Sequence, residues 1–367
     1  MEPNARFFKF KEDFRDPYAR DRDRVVHCSS FRRLEYKTQV FLNHEGDYFR
    51  TRLTHSLEVS QIARTLSRML NLNETLAEVI ALSHDLGHTP FGHVGGDELD
   101  RQLKKDGRVL GFEHNFQSFR VLTKLEKRYK NFDGLNLTFA TLEGVLKHSY
   151  PYEKPFLEHL DKRFALKKHP SLEAMVVDHA DEIAYTSHDI DDGIKYGLIS
   201  FDDLLENKLC KRVDAMVQKE GIGRDEKLYR HRFVAGLITL LVEDFIENTK
   251  EGVKTYRQSI PIAATLDAKQ KLPLGFSKQT ASELKVLKKL LFTTLYTHEK
   301  IARKMYAGKQ CIKGLYQAFR EDNDLLPPSQ KELFEVRKKE RVIADYIAAM
   351  TDRYAMKTYH EIYGLSL

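Results

Sequence analysis

Cysteine is scarce in this chain: Cys28, Cys210 and Cys311 are the only three in 367 residues. Their number is odd, they lie far apart, and no two have CxxC spacing. That argues against a disulfide framework and a thiolate zinc site, and for a reducing compartment. Long apolar runs are lacking too. The longest, Val234 to Val242, is interrupted by Gly236 and Thr239 and is too short to span a bilayer. Met1 to Arg24 is dense in charge and has no apolar stretch of the secretory type. These absences set the expectation of a cytoplasmic protein that does not use the membrane. Neither an internal repeat nor a low-complexity segment is present. Excess charge is also small: 60 Lys plus Arg against 54 Asp plus Glu leave a net charge of +6. This favours anionic partners without singling out nucleic acid. The basic clusters at Lys124 to Lys130, Lys285 to Lys289 and Arg337 to Arg341 read as solvated helix faces.

What is abundant is helical periodicity. Leu76, Val79, Ile80 and Ser83 recur at helical spacing, as do Val59, Ile62, Ala63, Leu66 and Leu70, and Phe116, Phe119, Leu122 and Leu125. The one strand signal is the pair Thr38 to Phe41 and Tyr48 to Thr51, separated by Asn43 to Asp47, which predicts a short β-hairpin near the N-terminus. Interruptions fall at Tyr150-Pro151, Lys154-Pro155, Gly221 to Asp225, Thr255 to Ser277 and Leu326-Pro327-Pro328. The expected fold is mainly α, with one main domain over residues 1–277 and a C-terminal helical part over 278–367.

The chemistry concentrates in Ser83 to His93, which packs His84, Asp85, His88 and His93 into eleven residues. Adjacent imidazole and carboxylate groups suit a borderline or hard divalent cation. Alone, the pair also fits an ordinary hydrogen-bonded feature of a helix end. Two other segments add to it. His55 opens the periodic segment that contains Val59. Asp178, Asp181, Tyr185, His188, Asp189 and Asp192 share one helical face. A polar stripe is commonly a solvated side, but this one carries four aspartates and no cation, and such carboxylates repel one another unless a cation or separate partners intervene.

A lone His, a His-Asp pair and a distant Asp resemble the HD superfamily of metal-dependent phosphohydrolases. The chain is most similar to the deoxyguanosine triphosphate triphosphohydrolases and related deoxynucleoside triphosphate triphosphohydrolases. The likeness runs through Ser29 to Leu34, Lys37 to Phe41, Gly46 to Val59, His84 to Gly95, Gly111 to Asn115, Asp181 to Tyr185, and Asp345 to Ala348 with Met350 to Arg353. It implies an HD-domain helical fold and a divalent metal, Mg, Mn or another first-row ion, on His55, His84, Asp85 and Asp181. It implies His93 as the catalytic histidine, with His88 and His114 beside it. Gln39 and Val40 would read the sugar, Tyr185 and Asp189 would face sugar and phosphates, and Arg52 and Lys147 would supply positive charge. His88, His93 and His114 each also read as structural, hydrogen-bonding histidines.

One departure stands out. Relatives place a carboxylate three residues after the catalytic His, where this chain has Gly96. Asp97 follows directly, and the permissive Gly95-Gly96 pair would let a shifted turn bring it into place. The implied reaction converts a deoxynucleoside triphosphate, with dGTP favoured, to deoxynucleoside and inorganic triphosphate. His93, with an ordinary pKa of about 6.5, would carry the proton for the departing 5′ oxygen. The alternatives are another HD-type nucleotidase or phosphodiesterase, and a weakly catalytic regulator that binds nucleotide or single-stranded DNA. Relatives assemble as homo-oligomers, often hexamers, and some need a nucleotide or DNA activator.

Overall fold

A computed structural model describes residues 2–9, 11, 13–39, 49–149, 162–164, 168–259, 269, 272 and 274–364. The chain divides into two compact units. One comprises Met1–Ser56, Leu82–Leu166 and Arg303–Leu367; the other comprises Leu57–Ala81 and Lys167–Ala302. Both are helical.

The first unit is assembled from three stretches far apart in sequence. Its core joins Phe91, Leu99, Leu103 and Phe112 to Ile312, Leu315 and Phe319 of the Glu299–Glu321 helix, and to Ile343, Ala344 and Ile347 of the Lys339–Ala348 helix. Polar ties reinforce this packing. Asp345 accepts from Gln117 Nε2 at 3.1 Å and is ion-paired with Arg120, fixing the Lys339–Ala348 helix to the His114–Arg120 helix.

In the second unit the Leu172–Lys195 helix packs along Lys227–Ser259, which also receives Lys208–Lys219. Starts are well capped here. Ser171 accepts from Ala174 N and Asn207 from Leu209 N, each satisfying donors that a first helical turn leaves open.

The expected hairpin is corrected. Among the described residues there is no strand. The segment shows an isolated antiparallel bridge between Thr38 and Thr51. Residues 40–48, including Val40 and the proposed turn, lie outside the described residues. Alternation of apolar and polar residues was the only support for strands, and Thr38 spends its backbone N–H on the Asp352 carboxylate instead.

Candidate functional site

The Arg52–Met69 helix begins with a reciprocal cap, Thr51 N donating to Thr54 Oγ1 at 3.0 Å and Thr54 N to Thr51 Oγ1 at 3.3 Å. This start places Arg52 and His55 in one turn, both buried. The Glu74–Ser83 helix ends at the His-Asp pair. The chain then turns through Leu86 and Gly87 against the His114–Arg120 helix. Gly87 N donates to Ser118 Oγ at 2.8 Å, and Ser118 Oγ donates to the His84 carbonyl at 2.7 Å. A Cβ on Gly87 would lie 2.1 Å from Ser118 N, so only glycine permits this approach.

Asp85 is the hub. Its Oδ2 accepts from Arg52 Nη1 at 2.7 Å and lies 3.9 Å from His55 Nε2. Its Oδ1 lies 3.3 Å from His84 Nε2 and 3.1 Å from His88 Nε2. Burial pushes the Asp85 carboxyl upward, but Arg52, His84 and His88 together overcome this and hold it well below the usual carboxylate range. His88 is driven the other way. Burial and the Arg52 charge depress its imidazole well below the ordinary value despite Asp85. Ligand nitrogens of His55 and His84 lie within 4.8 Å of one another. Donors on one first-row ion sit about 2 Å from it, which sets mutual separations of about 3 to 4 Å. Two imidazoles, one in the first turn of the Arg52–Met69 helix and one just past the end of Glu74–Ser83, beside an ionised carboxylate therefore suit a divalent ion by their donor chemistry.

A second histidine group adjoins this hub. His88 stacks on His114 with ring centres 4.2 Å apart, and His93 meets both edge-on at 5.2 and 5.7 Å. His93 is exposed at the first residue of the His93–Lys105 helix. The glycine pair is not a turn: Gly95 and Gly96 lie inside that helix, so the expected shifted turn is corrected. A Cβ on Gly95 would fall 2.1 Å from the Pro90 carbonyl oxygen, which explains a glycine at a position of poor helix propensity. Asp97 is exposed and sits four residues after His93, one helical turn along the same face. Glu98 is spent elsewhere, paired with Arg101 and accepting from Gln102.

Among the remaining candidates, Lys147 is wholly buried and bonded to Glu143 at 2.6 Å. Burial drives both groups toward their neutral forms. Gln39 follows the Thr38 bridge and is half-buried. His148, not singled out from sequence, is buried with its ring centre 4.9 Å from that of His84. Its adjacency to Lys147 was the available signal.

In the other unit, Asp181, Tyr185 and Asp189 follow one another at four-residue intervals along Leu172–Lys195. The stripe is not a solvated side. Asp178, Asp181 and Tyr185 are half-buried, while His188, Asp189 and Asp192 are buried. Repulsion is relieved by separate partners. His188 Nδ1 lies 2.8 Å from Asp189 Oδ1, and Lys195 Nζ is 3.6 Å from Asp192. Asp189 also accepts from the hydroxyl of Tyr296, which sequence reasoning missed; it sits in a π-helical turn, Phe292–Tyr296. Burial first, and then Glu182, Asp181 and Asp189, raise the Tyr185 phenol above its ordinary value, keeping it a donor.

Two family patterns match the chain: the HD domain over residues 52–186 and the phosphohydrolase-associated domain over 274–361. The first span contains His55, His84, Asp85 and Asp181. The chain is 61% identical over 365 residues to a deoxyguanosinetriphosphate triphosphohydrolase-like protein of Wolinella succinogenes, covering 99% of this chain and all of the relative. Proteins of the same description from Geobacter sulfurreducens and Thiobacillus denitrificans are 44% and 46% identical. They cover 96% of this chain and 90% and 92% of their own lengths. No described helix is long and apolar enough to cross a membrane.

Proposed function

We propose that this chain, which belongs to the deoxyguanosinetriphosphate triphosphohydrolase-like family of HD-domain hydrolases, is a metal-dependent triphosphohydrolase of deoxynucleoside triphosphates, with dGTP the favoured substrate. The observation that carries the reading is the hub at Asp85, where an ionised carboxylate and two imidazoles come together beside a buried guanidinium. His55, His84 and Asp85 would hold the ion, and Asp181 is the fourth ligand on the family pattern. Such an ion, Mg, Mn or another first-row metal, supplies charge neutralisation and a more acidic bound water.

The other roles belong to the chain. Arg52 fixes the Asp85 carboxylate by its hydrogen bond and brings positive charge to the phosphate side. Lys147 is the phosphate-side cation on the family pattern, and its bond to Glu143 fixes where it lies. His93, exposed and edge-on to His88 and His114, holds at a ring nitrogen the proton needed by the departing 5′ oxygen. Asp97, one turn away, takes the orienting role that Gly96 leaves open. Tyr185 donates toward sugar or phosphate oxygens, Asp189 accepts from the deoxyribose, and Gln39 and Val40 read its far edge. A cytoplasmic location, a homo-oligomer up to a hexamer, and a nucleotide or single-stranded DNA activator belong to the same reading.

The test is direct. Purified protein is incubated with each deoxynucleoside triphosphate and with Mg or Mn, and products are separated. Inorganic triphosphate and deoxyguanosine from dGTP are expected. Release of orthophosphate or pyrophosphate alone would favour a different HD-type hydrolase.

A further inference from the structure

We infer that Asp352, together with Lys37, clamps the His88–Gly92 loop in its working conformation, which makes Asp352 a positioning residue for the histidines at either end of that loop. The inference rests on the proposed roles of His88 and His93.

The loop needs holding. Phe91 and Gly92 both have φ of 62°. For glycine that is ordinary, but for phenylalanine the left-handed region is strained and persists only where the surroundings impose it. The restraint comes from two distant parts of the chain. Asp352, 2% exposed, accepts from Phe91 N at 3.1 Å through Oδ1. Through Oδ2 it accepts from Thr38 N at 3.0 Å and from the Thr38 hydroxyl. Lys37, equally buried, donates from Nζ to the His88 carbonyl and, at 2.8 Å, to the Ala348 carbonyl. The side chain of Phe91 is fixed as well, in the core of the same unit. A Cβ on Gly308 would come within 2.6 Å of it.

Asp352 is not committed to capping its own helix. Thr351 does that for Asp352–Tyr363, accepting from Tyr354 N at 3.2 Å. The Asp352 carboxylate is instead directed at backbone donors of two other segments. Burying a carboxylate is costly unless hydrogen bonds offset the loss of water, and here the loop and the Thr38 segment beside Lys37 supply those bonds. The bonds bracket the short stretch whose ends carry His88, against Asp85, and His93, at a helix start. A displacement of about 1 Å at a reacting group is enough to cost roughly 100-fold in rate.

The experiment compares full-length wild-type protein with Asp352→Asn, which keeps the shape but replaces one acceptor oxygen with a donor. Amide hydrogen exchange is followed by mass spectrometry, and triphosphate release from dGTP is measured alongside. The expected result is exchange faster by roughly 10-fold or more in peptides spanning residues 88–95, with the Leu172–Lys195 helix unchanged. Turnover falls roughly 10- to 100-fold, while KM stays within about threefold. Should Asp352→Asn not fold, Thr38→Val removes only the hydroxyl bond and should shift both readouts the same way, by less. Unaltered exchange at 88–95 in the folded variant would overturn the clamp. So would an increase spread evenly over the chain, which would mark Asp352 as merely structural. If wild-type protein releases triphosphate from no deoxynucleotide, the proposed function fails, and the exchange comparison still decides the clamp.

Discussion

The turn from His84 to His93 and the helix Leu172–Lys195 both supply acidic and imidazole groups to the proposed chemistry, and they are organised by opposite means. In the helix, regular backbone places Asp181, Tyr185 and Asp189 four residues apart. In the turn, Asp85 sits on a compact, irregular backbone with His84 and His88 and collects Arg52 and His55 from the start of another helix, with a left-handed phenylalanine held from outside. Periodicity makes a helix cheap to build and tolerant of single changes. A turn that gathers buried charge around one carboxylate concentrates both function and stability in the same few atoms.

The sharpest break of that comparison is between Asp85→Ala and Asp181→Ala. Both should lose bound metal, and with it several kcal/mol of transition-state stabilisation, roughly a thousandfold or more in rate. They should part on stability. Asp85→Ala strands the buried Arg52 guanidinium, which costs about 3 to 5 kcal/mol, whereas the half-buried Asp181 should cost under about 1 kcal/mol. Metal analysis and thermal unfolding of the two proteins check this. Full activity in metal-replete Asp181→Ala would remove Asp181 from the ligand set.

Next in size is His93→Ala. It should keep metal and nucleotide binding and lose roughly 100- to 10,000-fold in turnover, because a general acid acts mainly in the transition state. Steady-state kinetics beside equilibrium nucleotide binding checks it; loss of binding with normal turnover at saturation would make His93 a binding residue.

A smaller effect, roughly tenfold in kcat, is expected for Asp97→Asn, since an orienting carboxylate carries only part of the factor that its histidine supplies. Gly96→Glu should leave turnover unchanged or raise it. The backbone tolerates that change, because a Cβ there meets Phe112 at an ordinary 3.6 Å. Wild-type kcat in Asp97→Asn would show that His93 is oriented by other means.

The smallest effect comes from a polar cluster outside both regions and gives the baseline for stability without chemistry. Tyr229 donates to Asp214 Oδ1 at 2.5 Å, and Arg224 pairs with the same carboxylate. Tyr229→Phe should cost about 1.5 kcal/mol with no change in turnover. Arg224 and Tyr229 depress the Asp214 pKa below 3.8 despite desolvation. The stabilisation is therefore complete above pH 3.8 and is lost as pH falls through the lowered native value. The difference between Tyr229→Phe and wild type, measured by unfolding at neutral and at acid pH, should shrink on acidification.

Sequence reasoning reached these two regions unequally. Helical spacing of Asp178 to Asp192 was enough to place a helix there, since period alone determines which side chains share a face. It could not tell that the stripe is buried, because burial depends on what packs against it. The His-Asp cluster was visible from residue types alone, but Asp352, which lies 314 positions from Thr38, has no local signature. Arg52 was expected to meet phosphate, and its bond to Asp85 could not be read from spacing across 33 residues. The glycines misled in a specific way: Gly95-Gly96 has the composition of a turn, yet both lie in a helix, and position 95 is glycine because the Pro90 carbonyl leaves no room for a side chain.

The hydrogen bond from Phe91 to Asp352 joins positions 261 residues apart. Translation at about 5 to 20 residues per second separates their synthesis by on the order of tens of seconds. A nascent chain therefore carries all of its proposed ligands and His93 well before Asp352 emerges from the ribosome. Closure of the proposed clamp therefore waits on the C-terminal part of the chain, and a chain interrupted shortly before Asp352 would lack the acceptor that Phe91 N meets in the folded protein.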